Sequence, residues 1–581
     1  MHHDSVVERF RSRFSRLIGP RFAVALALLG LLGYALTRSA NYSGDAIYYA
    51  AKVESIRSPA GLMLPGHLIY CLLSRAFYRG GASLGIFSSA LEAMQWLSVL
   101  AGGASLGIMG ALAYRLVRRR AVAVLATLGF GASYAYWIQA TDAETYSLGI
   151  MCLLAAALLL QSGLTRVKEG RGSATLYFAG VGLLHALASL IHLSLLLFLP
   201  AALVGLLGRG RSRADSGLLR AATYVGVLTA ICLLPITAAA FAVGGARSPA
   251  GVIAWLAESA HGLPGSLSLA SAVRATYVLF NSFVFLGDLG QSVRTALAQG
   301  LPGGAAAFVR AHALPIANLL IVSVLLLVAA WAGIRRAASL RHTAEGNLSW
   351  LIAWILPFAA LAAYYYYSET EGWVMILPPL WLLIGFIATA APPQSTRRDT
   401  ALLALAVAFL VAVNAAGGIL PARDLRNNVK YATAQQIYNR VGRADLVITA
   451  GRVHESDGYL RYFFGHRDCV SLLSLWGTAQ RTRRGLREVV GQCLAAAENR
   501  GAAAWLFGDI STPEVRSHPW SDFGKLGVKK PDVISALSAF ECVKGTEIAP
   551  GQWLYRLRAR PEGVTRVRGG EGPGSSKPRS P

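Results

Sequence analysis

Apolar residues occur in long runs along the first 420 residues, and short polar segments separate these runs. A run of about 20 apolar residues can cross the hydrocarbon core of a bilayer as an α-helix. The pattern therefore predicts about eleven membrane-spanning helices. They are expected near residues 21–38, 87–114, 121–140, 144–163, 174–191, 193–208, 221–243, 314–334, 348–367, 373–391 and 400–420. The stretch 174–208 fits either two short helices or one long re-entrant element.

Arginine and lysine lie in alternate loops between these runs, and this alternation predicts the orientation of the chain. The short loops near residues 141–144, 192 and 368–372 contain neither residue type. Because basic loops stay on the cytoplasmic side, the N-terminus is expected in the cytoplasm and the loop with Asp45 outside. The expected location is the plasma (inner) membrane, as a multi-pass protein. The basic segments are residues 9–21, 115–120, 166–171, 209–220, 335–341 and 397–398.

Two of the expected outer loops are long. Loop 1 covers residues 39–86 and contains "LMLPGHLIYCLLSRAFY", and the second long loop covers residues 244–313 and contains "TYVLFNSFVFLG". Both stretches are apolar but are interrupted by, or lie close to, turn-forming or polar residues. We expect them to form helices along the membrane interface rather than spans.

The hydropathy pattern changes after residue 420. The segments "ADLVITAG", "CVSLLSLW", "AAAWLFGD" and "QWLYRLRAR" are typical of short buried strands, and helical patterns lie between them. This alternation predicts a small α/β soluble domain over residues 421–560, periplasmic or extracellular. The membrane domain is expected over residues 21–420, after a basic cytoplasmic segment of residues 1–20, and residues 561–581 are expected to be disordered.

Composition supports the fold class of a polytopic α-helical membrane protein. Hydrophobic residues make up 54% of the chain and charged residues 15%, against about 25% charged residues in soluble domains. The net charge of +25 lies largely in the loops between spans, so it indicates a membrane protein and no nucleic-acid partner. The six cysteines show no CxxC or Cys/His spacing, which argues against a zinc or redox motif.

Acidic residues on the expected outer side gather at the ends of spans. Asp45 lies in "NYSGDAIYYA", where it could cap a helix or serve a function. Thr141 and Glu144 have the spacing of a capping box, which leaves Asp142 without a structural explanation. Since a carboxylate at a membrane edge is costly to desolvate, such positions are candidates for function. A third acidic turn contains Glu369 and Glu371.

Three further groups have ordinary structural explanations beside functional ones. His67, in "LPGHLIY", could be a hydrogen-bonded structural residue, and His192 could be a polar turn residue. The four tyrosines at 364–367 are typical of the aromatic belt at a membrane–water interface.

In order along the chain, these motifs resemble the GT-C superfamily of membrane glycosyltransferases, in particular the branch of protein O-mannosyltransferases and aminoarabinose transferases. The matching features are "SGDAIYYA" after the first span, "LMLPGHLIY", the acidic turn "QATDAETYSL", a Gly-rich span pair and the re-entry "WVMILPPLWLL". The resemblance covers roughly residues 20–420. The chain departs from many relatives in having Glu369 and Glu371 where they carry a basic residue.

The resemblance implies transfer of a hexosyl or pentosyl group from a polyprenyl-phosphate donor to an acceptor hydroxyl, with inversion, in assembly of the cell envelope. Asp45 would be the general base, and Asp142 would help to hold the acceptor or a metal. The acceptor is a glycan, a lipid or a protein, and a divalent metal is left open as a cofactor. Substrate contacts are expected from Tyr48, Lys52, Arg57, His67, Glu144, His192, Arg274 and Glu371, with Tyr49 and Arg75 as further candidates.

Two rival classes remain at this stage. A transporter or lipid-linked-sugar flippase would carry internal repeats and charges near the membrane midplane. The sequence shows no such repeat, and the main titratable residues within spans, Glu92 and His185, have no obvious partner in the sequence. A non-catalytic envelope assembly protein that displays the C-terminal domain is the third alternative.

Overall fold

The structure is a computed structural model that divides into two compact units, residues 1–429 and 430–581. The predictions for residues 1–20 and 561–581 lie outside the described residues. The described residues are 21–170, 174–208, 217–258, 268–290, 292–293, 296, 300, 304–336, 347–366, 369–390, 393–449, 454–482, 484–508, 530–549 and 552–560.

Helices build the first unit. In chain order they are α1 (Arg21–Leu36), α2 (Gly44–Ser55), α3 (Tyr70–Ser83), α4 (Ala90–Val117), α5 (Arg120–Ala132), α6 (Tyr134–Thr141), α7 (Tyr146–Lys168), α8 (Thr175–Ile191), α9 (Leu199–Leu207), α10 (Gly217–Ala242), α11 (Pro249–Glu258), α12 (Leu269–Phe283), α13 (Gly304–Ala311), α14 (Ala313–Arg335), α15 (Asn347–Tyr364), α16 (Glu371–Val374), α17 (Leu377–Thr389) and α18 (Pro393–Asn414).

Among the described residues, six helices are long and apolar enough to cross a membrane, namely α4, α7, α10, α14, α15 and α18 with its continuation to Arg423. Helices α5 and α6 together form a seventh candidate span, bent by 66°. Four shorter apolar helices occupy the remaining places where the hydropathy pattern predicts spans. The chain is therefore a polytopic helical membrane protein, as the sequence predicts.

The segment 174–208 consists of two helices rather than one. Helix α8 ends at Ile191, and a 3₁₀ turn over Leu193–Phe198 leads into α9. Of the two alternatives that the sequence allows, the structure has two short helices that meet at His192.

Small residues let α1 pack closely against α4. A Cβ atom on Gly103 would lie 2.9 Å from the backbone nitrogen of Leu31, and one on Gly107 would lie 2.8 Å from the carbonyl oxygen of Ala23. Such close backbone approach at glycines four residues apart is common between helices in membranes. It holds the first span beside α4, on which both helices of loop 1, α2 and α3, also pack.

A single asparagine satisfies backbone groups at two helix interruptions. The fully buried side chain of Asn414 accepts from the N–H of Phe285 at 2.7 Å, just beyond the end of α12. Its amide nitrogen donates to the carbonyl oxygens of Ala132 (2.7 Å), at the break between α5 and α6, and Phe283 (2.8 Å). Helix α18 continues after Asn414 as a π-helical turn, Ala415–Ile419. Non-helical backbone at membrane depth requires internal partners of this kind.

The second unit is a mixed five-stranded sheet with helices. Strand β1 pairs in parallel with β2 and β3, and β5 joins β3 and β4 in antiparallel pairs, giving the order β2-β1-β3-β5-β4. Helices α21 and α22 cover one side of the sheet with buried aliphatic residues. The elements are α19 (Val429–Tyr438), β1 (Leu446–Thr449), α20 (His454–Phe464), β2 (Cys469–Ser471), α21 (Leu472–Thr482), α22 (Leu486–Glu498), β3 (Ala504–Phe507), α23 (Lys530–Ser538), β4 (Phe540–Ala549) and β5 (Gln552–Ala559).

Strands β1, β3 and β5 lie where the sequence predicts them, whereas the prediction for "CVSLLSLW" is wrong over most of its length. The strand ends at Ser471, whose hydroxyl oxygen accepts from the N–H of Ser474 at 3.1 Å. That bond caps α21, so the apolar residues that follow are the buried face of a helix. The hydropathy pattern does not predict strand β4, because most of its described side chains are exposed at the edge of the sheet.

Candidate active site

Loop 1 and the acidic turn, which we define as residues 142–145, are joined by hydrogen bonds at Ser43. The backbone N–H of Ser43 donates to Oδ2 of Asp142 at 2.9 Å, and its hydroxyl donates to Oε1 of Glu144. A backbone bond from the N–H of Ser39 to the carbonyl oxygen of Thr141, 3.1 Å, continues the contact. These bonds bring the start of loop 1 and the acidic turn together on the same side of the bundle. Two of the three acidic positions that the sequence predicts, at Asp45 and at Asp142–Glu144, are therefore neighbours.

Asp45 begins helix α2 but does not cap it. The N-cap is Ser43, whose hydroxyl oxygen accepts from the N–H of Ala46 at 2.9 Å, and Asp45 is the second residue of the helix. The structural alternative of Asp45 as N-cap is therefore wrong, because the serine two positions earlier fills that role. The side chain of Asp45 is exposed, and its negative charge is favourable beside the positive end of the helix dipole.

The capping box expected at Thr141 and Glu144 is not formed. Thr141 is the last residue of α6, and its hydroxyl donates backward to the carbonyl oxygens of Trp137 (2.9 Å) and Ile138 (3.1 Å). Helix α7 begins only at Tyr146, so Thr141 lies too early to cap it. The Glu144 side chain is directed to Ser43 of loop 1 instead.

Both carboxyl groups of the acidic turn are buried. Asp142 and Glu144 are each 2% exposed. The second oxygen of Asp142, Oδ1, accepts from the N–H of Ala143 at 2.7 Å. Burial raises the pKa of Glu144 well above its ordinary value of 4.5, and the nearby charges of Glu371 and Asp45 raise it further. The hydrogen bond from the Ser43 hydroxyl lowers the pKa of Glu144 and so opposes part of this rise.

Two histidines and three tyrosines form a wall beside the carboxyl groups. The ring centroids of His67 and His192 are 4.7 Å apart, and those of Tyr146 and His192 are 4.5 Å apart. Tyr49 of α2 is 5.6 Å from His67 and 5.5 Å from Tyr70. We call these five residues the aromatic wall; it brings predicted contacts from loop 1 and from the turn at His192 to one place.

Backbone and side-chain bonds fix the wall. Nδ1 of His67 lies 3.1 Å from the carbonyl oxygen of Ile191, and the N–H of Leu193 donates to the carbonyl oxygen of Gly66 at 2.9 Å. Nδ1 of His192 lies 2.7 Å from the hydroxyl of Ser194. Loop 1 is thus tied to the turn between α8 and α9 as well as to the acidic turn.

Burial also controls the protonation of the wall. It raises the pKa of Tyr49 well above 10.0, and the charges of Asp45 and then Glu144 add to the effect. Burial lowers the pKa of His192 well below 6.5, and the neighbouring His67 lowers it further. Tyr49 therefore keeps its hydroxyl proton, and His192 is a neutral imidazole near neutral pH.

The basic residues of loop 1 have different surroundings. Tyr48 is half-exposed, and the ammonium of Lys52 lies 4.9 Å above its ring. Arg57 is exposed. Arg75 is buried, and its guanidinium donates to the carbonyl oxygens of Ile56 and Arg57, just past the end of α2. Arg75 is therefore a structural tether between α3 and α2.

Two predicted contacts come from distant parts of the chain. Glu371 begins α16 and is close enough for its charge to raise the pKa of Glu144, after burial the largest cause. Arg274 lies on α12, which packs against α6 and α16. Tyr366 packs against the third acidic turn, since a Cβ atom added at Gly372 would clash with the Tyr366 side chain. Tyr366 therefore has a packing contact within the protein, whereas Tyr367 lies outside the described residues and the interfacial aromatic belt stays a prediction.

Glu92 and His185, which have no obvious partner in the sequence, have local partners in the structure. Glu92 accepts at Oε2 from the N–H of Ser88 (3.1 Å) and from its hydroxyl (2.9 Å), at the start of α4. Nδ1 of His185 lies 2.6 Å from the hydroxyl of Tyr224, and its Nε2 lies 2.9 Å from the carbonyl oxygen of Leu195. Both groups are satisfied by neighbouring residues.

Three residues of the site are missing from the sequence-based prediction. They are Ser43, Glu54, which accepts from the N–H of Ala90 at 2.7 Å, and Gln95, whose amide bridges loop 1 to Thr141. A serine two positions before an acidic residue at a helix start is a recognisable N-cap signal. A glutamine one turn inside an apolar span is likewise an unusual polar position in a membrane helix.

The described part of the chain shows no group of three or more His, Cys, Asp or Glu side chains arranged to hold a metal ion. The side chains of Asp142 and Glu144 accept from N–H and O–H donors of the protein.

No protein-family model matches the chain, and no curated protein matches it. Its fold is similar to that of ArnT from Cupriavidus metallidurans, solved bound to undecaprenyl phosphate, with 13% identity, a TM-score of 0.47, and coverage of 92% of this chain and 97% of that one. It is also similar to the Archaeoglobus fulgidus oligosaccharyltransferase in complex with Zn and sulfate, with 11% identity, a TM-score of 0.45, and coverage of 92% and 72%. At 13% and 11% identity, these similarities concern the fold alone.

Proposed function

We propose that the protein transfers a sugar from a polyprenyl-phosphate donor to an acceptor hydroxyl, with Asp45 as the general base. The observation that carries the proposal is the exposed carboxylate of Asp45, which heads a helix fixed to two buried carboxyl groups and lies near the aromatic wall. A carboxylate in that position is held by its surroundings and remains accessible to a substrate.

The chemistry that this group can perform is proton removal during an inverting displacement. The acceptor oxygen forms a bond to the anomeric carbon while the bond from that carbon to the phosphate oxygen breaks. The electron pair leaves with the polyprenyl phosphate, and the acceptor proton passes to Asp45. A positioned general base contributes about 10²–10⁴-fold to such a step.

Lys52 is placed to meet the leaving phosphate. Asp45, Tyr48 and Lys52 are spaced three and then four residues apart, so they share one face of α2. Seven residues of helix place the backbones of Asp45 and Lys52 roughly 10 Å apart along the axis, and we propose that the sugar lies along this face. Tyr48, half-exposed under the ammonium, offers a ring face to that sugar.

We place this chemistry at the outer face of the plasma membrane, with the N-terminus in the cytoplasm. The support is the alternation of basic loops in the sequence, in which the turns with Asp142 and His192 contain no arginine or lysine and the loop with Asp45 falls on their side of the membrane. A donor anchored by its lipid would then reach α2 from the membrane interface.

The transporter and flippase alternative is less well supported. Proteins of that kind use titratable groups near the membrane midplane. Glu92 belongs to the start of α4, and His185 is bonded to Tyr224 and to a backbone carbonyl oxygen. In the described part of the chain, neither residue is placed as a proton relay.

The test compares Asp45→Asn with the wild type in membranes, using tritium-labelled polyprenyl-phosphate mannose, glucose and aminoarabinose as donors and the native membrane acceptors. Transfer of label should fall at least about 100-fold while expression and unfolding midpoint are preserved. Glu488→Gln, on the surface helix α22, is the matched control and should retain full transfer. An active Asp45→Asn variant would overturn the assignment of the base, and label that crosses the bilayer without transfer would establish the flippase.

A further inference from the structure

We propose that Ser43 is a positioning residue for Asp45, and that Asp142 and Glu144 act through Ser43 rather than on the substrate. The inference rests on the proposed sugar transfer, and it changes the role expected of Asp142 from a catalytic to a positioning one. Among the described residues of loop 1 and the acidic turn, Asp45 is then the one acid that reaches the substrate.

The first observation is that every polar group of Ser43 that can hold helix α2 is engaged. Its backbone N–H donates to Asp142, and its hydroxyl hydrogen goes to Glu144. The same hydroxyl oxygen accepts from the N–H of Ala46 and so caps the helix. The residue thus fixes the start of α2 on one side and the acidic turn on the other, only two positions before Asp45.

The second observation is independent and concerns Gln95 of α4, which is 4% exposed. Its amide nitrogen donates to the carbonyl oxygens of Ser39 (2.7 Å) and Thr141 (2.8 Å). The hydroxyl of Ser98, one turn further along α4, donates to the carbonyl oxygen of Glu144 at 3.1 Å. Helix α4 therefore holds the backbones of loop 1 and of the acidic turn in register around Ser43.

Exposure separates the roles of the three acids. Asp142 and Glu144 are almost fully buried, and their oxygens accept from protein N–H and O–H groups, whereas Asp45 is exposed. A buried acid that accepts bonds from a neighbouring loop is suited to holding that loop. Since a displacement of about 1 Å at a catalytic group can cost about 100-fold in rate, a fixed helix start matters for the base.

The experiment compares Ser43→Ala, Ser43→Thr and the control Ser55→Ala, whose serine lies at the exposed end of the same helix and donates only to Ala51. Two readouts are taken on the full-length protein in detergent: the kcat and KM of sugar transfer with the labelled donors, and amide hydrogen exchange over residues 44–55. We expect Ser43→Ala to lower kcat about 10–100-fold, with KM for the donor changed by less than about threefold, and to speed exchange in the first turn of α2. Ser43→Thr should restore both readouts because it keeps the hydroxyl.

The outcomes separate this inference from the proposed function. If Ser43→Ala retains the wild-type kcat while Asp45→Asn is inactive, the positioning role is wrong and the base stands. If Ser43→Ala raises KM for the donor about 100-fold at constant kcat, Ser43 or its acids bind substrate directly and the inference is also overturned. If Ser43→Ala leaves amide hydrogen exchange in the first turn of α2 unchanged, the proposed positioning role of Ser43 is contradicted, whatever the activity of the variant. If the wild-type protein transfers no sugar but Ser43→Ala still speeds exchange, the proposed enzymatic function is overturned. Ser43 then fixes the start of α2 for structural reasons alone.

Discussion

Replacement of Asn414 by leucine should destabilise the first unit, residues 1–429, without changing the apolar surface that this unit exposes. The side chain is fully buried and makes three hydrogen bonds to backbone groups that no regular helix can satisfy. Leucine is close to asparagine in shape and apolar, so the variant removes these bonds and adds no charge. The N–H of Phe285 then loses the carbonyl oxygen that accepts from it.

The expected loss in the free energy of unfolding follows from the three hydrogen bonds of Asn414. An orphaned buried N–H costs about 1–3 kcal/mol. Each of the two carbonyl oxygens, of Ala132 and Phe283, loses a donor, and side-chain hydrogen bonds within membranes contribute about 0.6 kcal/mol on average. We therefore expect Asn414→Leu to lower the free energy of unfolding by roughly 2–4 kcal/mol.

Equilibrium unfolding in mixed micelles of mild detergent and SDS measures this loss. Leu405→Ala is the matched control, because Leu405 lies on the same helix and is 68% exposed, and it should change the free energy of unfolding by no more than about 0.5 kcal/mol. If Asn414→Leu matches the control, the bonds at the two interruptions do not stabilise the fold and the reasoning is refuted. A loss shared equally by both variants would point to lipid packing along α18 instead.

Two further predictions concern the site. Because burial raises the pKa of Glu144 above its unfolded value, the stabilisation present at low pH is lost as pH rises above about 4.5, at up to about 1.4 kcal/mol per pH unit. Glu144→Gln, which keeps an acceptor for Ser43, should therefore gain stability over the wild type between pH 5 and 7 in denaturation curves, and parallel pH profiles would contradict the burial effect. Arg75→Met should lower the unfolding midpoint, since the carbonyl oxygens of Ile56 and Arg57 lose their donor, while KM for the donor stays within a few-fold. A large rise in KM at unchanged stability would instead mean that Arg75 binds the phosphate.

The hydropathy pattern predicts the helical bundle well because a membrane span must be apolar along its whole length. The same rule explains why the spans are found while the interruptions within them are not. The break between α5 and α6 and the end of α12 lie in apolar sequence, and the residue that satisfies them, Asn414, is 282 positions from Ala132. Nothing local in the sequence indicates that pairing. Strand β4 is missed for the opposite reason, because it is an edge strand with little buried surface.

The candidate site shows the same division between local and distant signals. Asp45 is identified from its position after the first span and from the family resemblance, and its exposure agrees with that role. The capping box at Thr141 is a local pattern that tertiary contacts override, since Glu144 bonds to a serine 101 residues away. Ser43 carries a local N-cap signal and Gln95 is an unusual polar residue within a span, but their bonding partners become evident only where the two loops meet.

The bond between Ser43 and Glu144 also constrains how the protein is made. During synthesis at about 5–20 residues per second, Ser43 leaves the ribosome roughly 5–20 s before Glu144, because 101 positions separate them. In that interval α4 and the α5–α6 pair, which lie between the two residues in the chain, are synthesised while the start of α2 has neither acid to hold it. The nascent chain therefore exposes an unorganised loop 1 at the membrane surface until the turn after α6 has been inserted. A chain stalled before that turn would carry Asp45 on a helix start still free to fray, so the order of membrane insertion itself delays the assembly of the site.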